Sequence, residues 1–166
     1  MKSYQGFFHP FFYLFNNIEI VRMQEKNEDP FNDQIQVMLD REMEKFYSRK
    51  TIDYYKNPVN IGRMENSNGL AVVKGGCGDT MEIYLRIEGK VIKAIQFFSD
   101  GCGVTLACGS AITELVNGKS IQKALRISPH ELIEELGGLP RDGIHCAILS
   151  VVTMHMAIAD YLLKTE

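Results

Sequence analysis

The feature that most constrains this chain is a change of hydrophobic period at Gly103. Upstream, three runs alternate apolar and polar side chains: "LAVVKG" from Leu70, "DTMEIYLRIEGK" from Asp79 and "VIKAIQFFSD" from Val91. Alternation with period two marks half-buried strands, clearest at Met81, Ile83, Leu85 and Ile87, and Glu88-Gly89 offers a tight turn between the second and third runs. Downstream, Val104, Ala107, Cys108, Ala111, Ile112 and Leu115 recur at about 3.6 residues, the spacing of a helix face. Strands first and helices afterwards predict an α+β fold, a small three-stranded antiparallel sheet with helices packed on one face.

The helices carry their own boundaries. Asn117-Gly118 stops the first, and a short one covers Ile121 to Leu125. "SPHELIEELGG" places Ser128 at the N-cap, Pro129 at the first position, Glu131 in a capping box and Gly137-Gly138 at the end. From His145 to Leu163 the chain is apolar nearly all round, which predicts a central buried helix. Ahead of the sheet, Ile35, Met38, Leu39, Met43 and Phe46 predict an amphipathic helix over 32–49 that packs on the following domain, and 54–69 reads as an extended loop around Pro58. Residues 1–50 are therefore expected to form an N-terminal extension and 51–166 the main domain.

Seven of the sixteen aromatic residues lie in the first fifteen positions. With only Lys2 ahead of them, His9-Pro10 and Asn16-Asn17 interrupting the run and no small-residue cleavage site, this stretch is a poor signal and too short for a membrane span. It reads as an upstream extension with Met23 as the natural start, against a docking arm or weak signal. The formal net charge of −3, without a Lys/Arg cluster, argues against nucleic acid, and no membrane association is expected. Four sparse cysteines suit a reducing, cytoplasmic setting in which thiols serve metals or catalysis.

Three of those cysteines sit at the ends of predicted elements. Cys77 lies between glycines at a strand entry with Asp79 two residues on; in extended chain both would face one ion. Cys102 stands at a strand-to-helix junction, where unpaired N–H groups and the helix dipole favour its thiolate. His145 and Cys146 open the last helix, although adjacent helical residues project about 100° apart, an awkward angle for an imidazole activating its neighbour. Cys108 falls on the apolar stripe and reads as core. His155, half a turn from Cys146, reads as a packed histidine, and His130 as solvated. Three soft thiolates with a carboxylate or imidazole for a fourth corner make a metal set, assembled across separations of 25 and 44 residues by the fold itself.

Cys77-Gly78-Asp79, Gly101-Cys102-Gly103 and His145-Cys146, with "YYKNPVNIG" upstream and "AIADYL" at the end, resemble the IscU/NifU amino-terminal type of iron–sulfur cluster assembly scaffold from about Tyr54 to Leu162. The resemblance implies a carrier, not an enzyme. Such a scaffold takes sulfur from a cysteine desulfurase and iron from an iron donor, builds a transient 2Fe-2S cluster and passes it to apo iron–sulfur proteins. It implies Cys77, Cys102 and Cys146 as cluster ligands, Asp79 or His145 completing the set, and Cys146 as the persulfide acceptor. A homodimer or trimer stays open.

The sequence departs from that family where "LPRDGIHC" replaces Leu-Pro-Pro-Val-Lys ahead of His-Cys, which makes the dedicated chaperone pair doubtful. No later Cys-x-x-Cys domain and no long insertion between Cys102 and His145 are seen, so a short stand-alone scaffold is expected. The rival readings are a zinc-binding sulfur-transfer protein acting with a cysteine desulfurase, or a zinc-locked domain, since the same ligands suit tetrahedral zinc. A third is a cysteine-nucleophile enzyme.

Overall fold

The structure, a computed structural model, describes residues 30–165. The Phe-rich segment and the proposed start at Met23 lie outside the described residues. The described residues divide into two units, one ending at Asp40 and one beginning at Arg41. The first helix, α1, runs from Pro30–Met43. It is shorter than the period alone suggests, because Ser48 caps a new helix, α2 (Arg49–Lys56), by accepting from Thr51 N–H. Tyr54 and Tyr55, expected in an extended loop, thus lie on a helix. Ser48 and Thr51 hydroxyls donate to the Leu136 carbonyl and Lys50 pairs with Glu135.

Strands β1 (Gly69–Lys74), β2 (Thr80–Glu88) and β3 (Val91–Ser99) form an antiparallel sheet in the order β1-β2-β3. Met81, Ile83, Leu85 and Ile87 all point into the core, as the alternation requires. Each such buried side chain contributes about 1.5–3 kcal/mol of transfer free energy. The β2–β3 turn falls one residue later than expected, at Gly89-Lys90. Both residues have positive φ, 56° and 66°, the left-handed pair that a two-residue hairpin uses to match strand twist. On the far side of β3 the loop at Asn60–Gly62 exchanges hydrogen bonds with Phe97.

Four helices follow: α3 (Gly103–Val116), α4 (Ile121–Ala124), α5 (Pro129–Glu135) and, after a 3-10 turn at Arg141–Gly143, α6 (Ile144–Lys164). The capping box at Ser128 and Glu131 is formed on both sides. Helix α3 packs on β3, and α6 on β1 and β2. Two close approaches depend on glycine: a Cβ at Gly109 would lie 2.3 Å from the Phe97 ring, and one at Gly69 would lie 2.6 Å from the Ala157 carbonyl oxygen.

The last helix is not buried all round. Ile144, Ile148, Val152 and Met156 form a stripe 37–50% exposed, while Cys146, Leu149, Val151, Met154 and Ile158 face the core. By length and composition the segment Arg141–Lys164 could cross a membrane, but half of its apolar window is buried inside the domain. It is the core helix of this fold.

Candidate metal centre

Two turns bring the site together. Between β1 and β2 the chain reverses through Gly75–Gly78, with Gly75 N–H donating to the Asp79 carbonyl and Gly78 N–H to the Gly75 carbonyl. Between β3 and α3, Asp100 accepts from Thr80 N–H at 2.6 Å, while Ser99 Oγ donates to the Thr80 carbonyl and accepts from Gly101 N–H. These bonds fasten the end of β3 to the start of β2, so Asp79 and Cys102 lie side by side. Helix α6 supplies Cys146 from the third direction.

The result is a cluster of Asp79, Cys102 and Cys146 whose ligand atoms all lie within 4.8 Å of one another. One ion bonded to two thiolates and a carboxylate at about 2.3 and 2.1 Å would hold its ligand atoms roughly 3.5–4 Å apart, so a small contraction completes the site. His145 joins from the rim, its Nε2 3.4 Å from Cys146 Sγ. The two neighbours therefore meet at the start of α6 although their helical positions are about 100° apart.

Cys77 is placed differently. It lies exposed in the turn, its Sγ curled back toward Gly75, where an added Cβ would sit 3.4 Å from it. Residues 77–79 are not extended, because Gly78 takes φ 97° and breaks the two-residue alternation. Asp79 consequently faces the cluster while Cys77 faces solvent.

The thiols divide by environment. Cys102, at the N-cap of α3, is a thiolate held down to about 6. Its largest support is the neighbouring Cys146 thiol, with help from the N–H groups of Thr105 and Val104, against the opposing effect of burial. Its sulfur lies near those N–H groups without closing a full capping hydrogen bond. Cys146 is only 1% exposed and keeps its proton, pushed up by the bond to the Cys102 thiolate and by burial. Burial raises Cys108 as well; it is wholly enclosed in the core, as its place on the apolar stripe suggests.

Two residues at the site escape a sequence reading. Thr105 is fully buried and its hydroxyl lies 2.7 Å from Asp79 Oδ2, 3.3 Å from Cys146 Sγ and 3.6 Å from Cys102 Sγ. Its only signal is a hydroxyl three residues after Cys102 among apolar neighbours. Tyr47 stands half-buried nearby, its hydroxyl raised to about 12 by burial and by the negative charges of Asp142 and Cys102. His155 is half-buried with Nε2 unpartnered among the described residues, and His130 is exposed beside Glu134.

Thiols and a carboxylate, delivered by separate elements around a three-stranded sheet, define a metal-handling domain of the NifU amino-terminal type. Residues 46–166 match the NifU-like N terminal domain family, and the chain belongs to that family. It is similar to the iron–sulfur cluster assembly scaffold protein IscU of Aquifex aeolicus, 42% identical over 121 residues, which cover 71% of this chain and 77% of that protein. IscU of Escherichia coli K12 is 39% identical over 125 residues, 72% of this chain and 97% of that protein. The fold also matches the crystal structure of a nitrogen-fixing NifU-like protein (N-terminal) from Brucella abortus. There the TM-score is 0.58 at 18% identity, covering 74% of this chain and 98% of that one.

Proposed function

We propose that this protein is a scaffold on which an iron–sulfur cluster is assembled and from which it is passed to apo-proteins. The observation that carries the reading is the convergence of Asp79, Cys102 and Cys146 from three distant segments, in a chain whose relatives are named scaffold proteins for this process. The cluster is cargo, and the domain acts as a carrier with a cysteine desulfurase, an iron donor and recipient apo-proteins as its partners. Free thiols throughout suit the reducing cytoplasm.

The finer assignment of this proposal takes its support from the grouping of Asp79, Cys102 and Cys146. Cys102 and Cys146 form the fixed floor of a 2Fe-2S site and Asp79 its oxygen corner. Cys77 closes the site from its exposed turn, with Gly76 and Gly78 in open space on either side, and His145 stands at the rim as the exchangeable alternative. Three thiolates and one harder donor leave a corner through which a recipient's thiolate enters. Cys146 is the persulfide acceptor of this proposal. Because it is buried and protonated while Cys102 carries the charge, transfer requires the pair to open and the shared proton to move to Cys102. Arg141, Asp142 and Gly143, in a 3-10 turn, take the places of Pro-Val-Lys in the family's Leu-Pro-Pro-Val-Lys run, which argues against release by the dedicated chaperone pair in that form.

Anaerobic purification with iron, zinc and acid-labile sulfide measured together tests the proposal. Sulfide in proportion to iron after incubation with a cysteine desulfurase, cysteine and ferrous iron is the expected result. Stoichiometric zinc that neither iron nor the desulfurase displaces would overturn it in favour of a zinc-dependent sulfur-transfer protein.

A further inference from the structure

The geometry points to Thr105 as the residue that positions Asp79 for metal, an inference that rests on the reading of Asp79, Cys102 and Cys146 as a metal centre. Thr105 belongs to the first turn of α3 and is wholly buried, so its hydroxyl is delivered by rigid backbone rather than by a mobile surface chain. A hydroxyl has one proton to give. At 2.7 Å from Asp79 Oδ2 that proton goes to the carboxylate, the acceptor that gains most from it.

Cys102 N–H approaches the same oxygen at 3.3 Å. With Oδ2 held by two donors, the carboxylate stops rotating and Oδ1 keeps a single direction relative to the two sulfurs. The same hydroxyl touches both Cys146 and Cys102, so one buried group registers all three ligand atoms against one another. Gly101 supports this independently: a Cβ there would stand 2.5 Å from Asp79 Oδ2 and 2.8 Å from Thr105 Cβ and Cγ2. The β3–α3 turn is thus shaped around the Thr105–Asp79 contact. Residues that orient a ligand without touching the metal typically change affinity by roughly 10–100-fold.

The test uses the full-length apo protein, zinc affinity from competition with a chelator, and anaerobic cobalt(II) titration. In the cobalt titration the thiolate charge-transfer band reports sulfur ligation and the visible ligand-field bands report geometry. Thr105→Val keeps shape and β-branching but removes the hydroxyl; it is expected to weaken zinc binding roughly 10–100-fold and to alter the ligand-field bands while the charge-transfer intensity is kept. Thr105→Ser is expected to restore binding, and in an Asp79→Asn background Thr105→Val is expected to add no more than about twofold, the signature of two residues acting as one.

Wild-type affinity in Thr105→Val, alongside a loss in Asp79→Asn, would overturn the inference and leave the metal centre standing. So would an undiminished Thr105→Val loss in the Asp79→Asn background, because the hydroxyl would then act through the thiols or the fold. No loss in Asp79→Asn itself would remove both the inference and Asp79 from the centre. Thr105→Ala serves in the same cycle if the valine variant does not fold.

Discussion

Gly101→Ala is the most informative single change, because backbone preference and packing push it in opposite directions. Gly101 does not use a left-handed φ, so alanine is allowed by the backbone, and such a change ordinarily stabilises by about 0.4–1 kcal/mol through the unfolded chain. Here the new methyl would lie 2.5 Å from Asp79 Oδ2 and 2.8 Å from Thr105 Cβ and Cγ2. The carboxylate must retreat by about half an ångström merely to reach 3.0 Å, breaking its bond from Thr105, while Thr105 cannot move without its helix. Overpacking of this kind costs about 1–3 kcal/mol, leaving a net destabilisation of roughly 1–2 kcal/mol. Loss of the oriented carboxylate adds a roughly 10–100-fold fall in zinc affinity. Gly76→Ala is the control, since nothing lies within 4 Å of a Cβ there; it should be neutral or slightly stabilising and bind metal normally. Urea unfolding under reducing conditions, with and without zinc, measures both. A Gly101→Ala protein as stable as the control and with unchanged affinity would refute the packing argument and with it the tight Asp79–Thr105 contact.

Asp79→Ala should slow cluster transfer to an apo-ferredoxin and lengthen cluster lifetime, measured by visible absorption and circular dichroism; unchanged transfer kinetics would count against Asp79 as the weak corner. Cys108→Ser should leave metal and sulfide content intact while costing about 1–3 kcal/mol for a hydroxyl enclosed in the core, whereas Cys102→Ser should abolish metal binding; equal losses of metal would place Cys108 in the site. In the metal-free protein, iodoacetamide should alkylate Cys102 with a midpoint near pH 6, below the ordinary thiol value near 8.5. Because folding depresses this pKa, the native state sheds its proton before the unfolded state does. Stability should therefore rise with pH between about 6 and 8.5 and be lost as pH falls through about 6, a slope that Cys102→Ser should flatten in thermal melts.

Much of the architecture was legible because local chemistry and tertiary role coincide. The alternation from Met81 to Ile87, the Cys102 junction and the Ser128–Glu131 box each follow from interactions among residues close in sequence. The metal-type character of the cysteines was legible as well, since soft ligands at element ends need no knowledge of the fold. Other features depended on contacts across the chain. That Asp79 faces the cluster while Cys77 does not is decided by the turn at Gly78 and by the hydroxyl of Thr105, which lies 26 residues from Asp79. The burial of Cys146 and the charge on Cys102 exist only because α6 docks against the start of α3. The exposed stripe on α6 was likewise hidden in an apolar sequence, because which face of a helix is covered depends on the sheet beneath it. Sequence alone determined the three strands, the helices from Gly103 onward and the donor atoms, through short-range periodicity and capping; tertiary structure alone decided which donors meet, because hydrogen bonds and burial at that site join segments that no local rule connects.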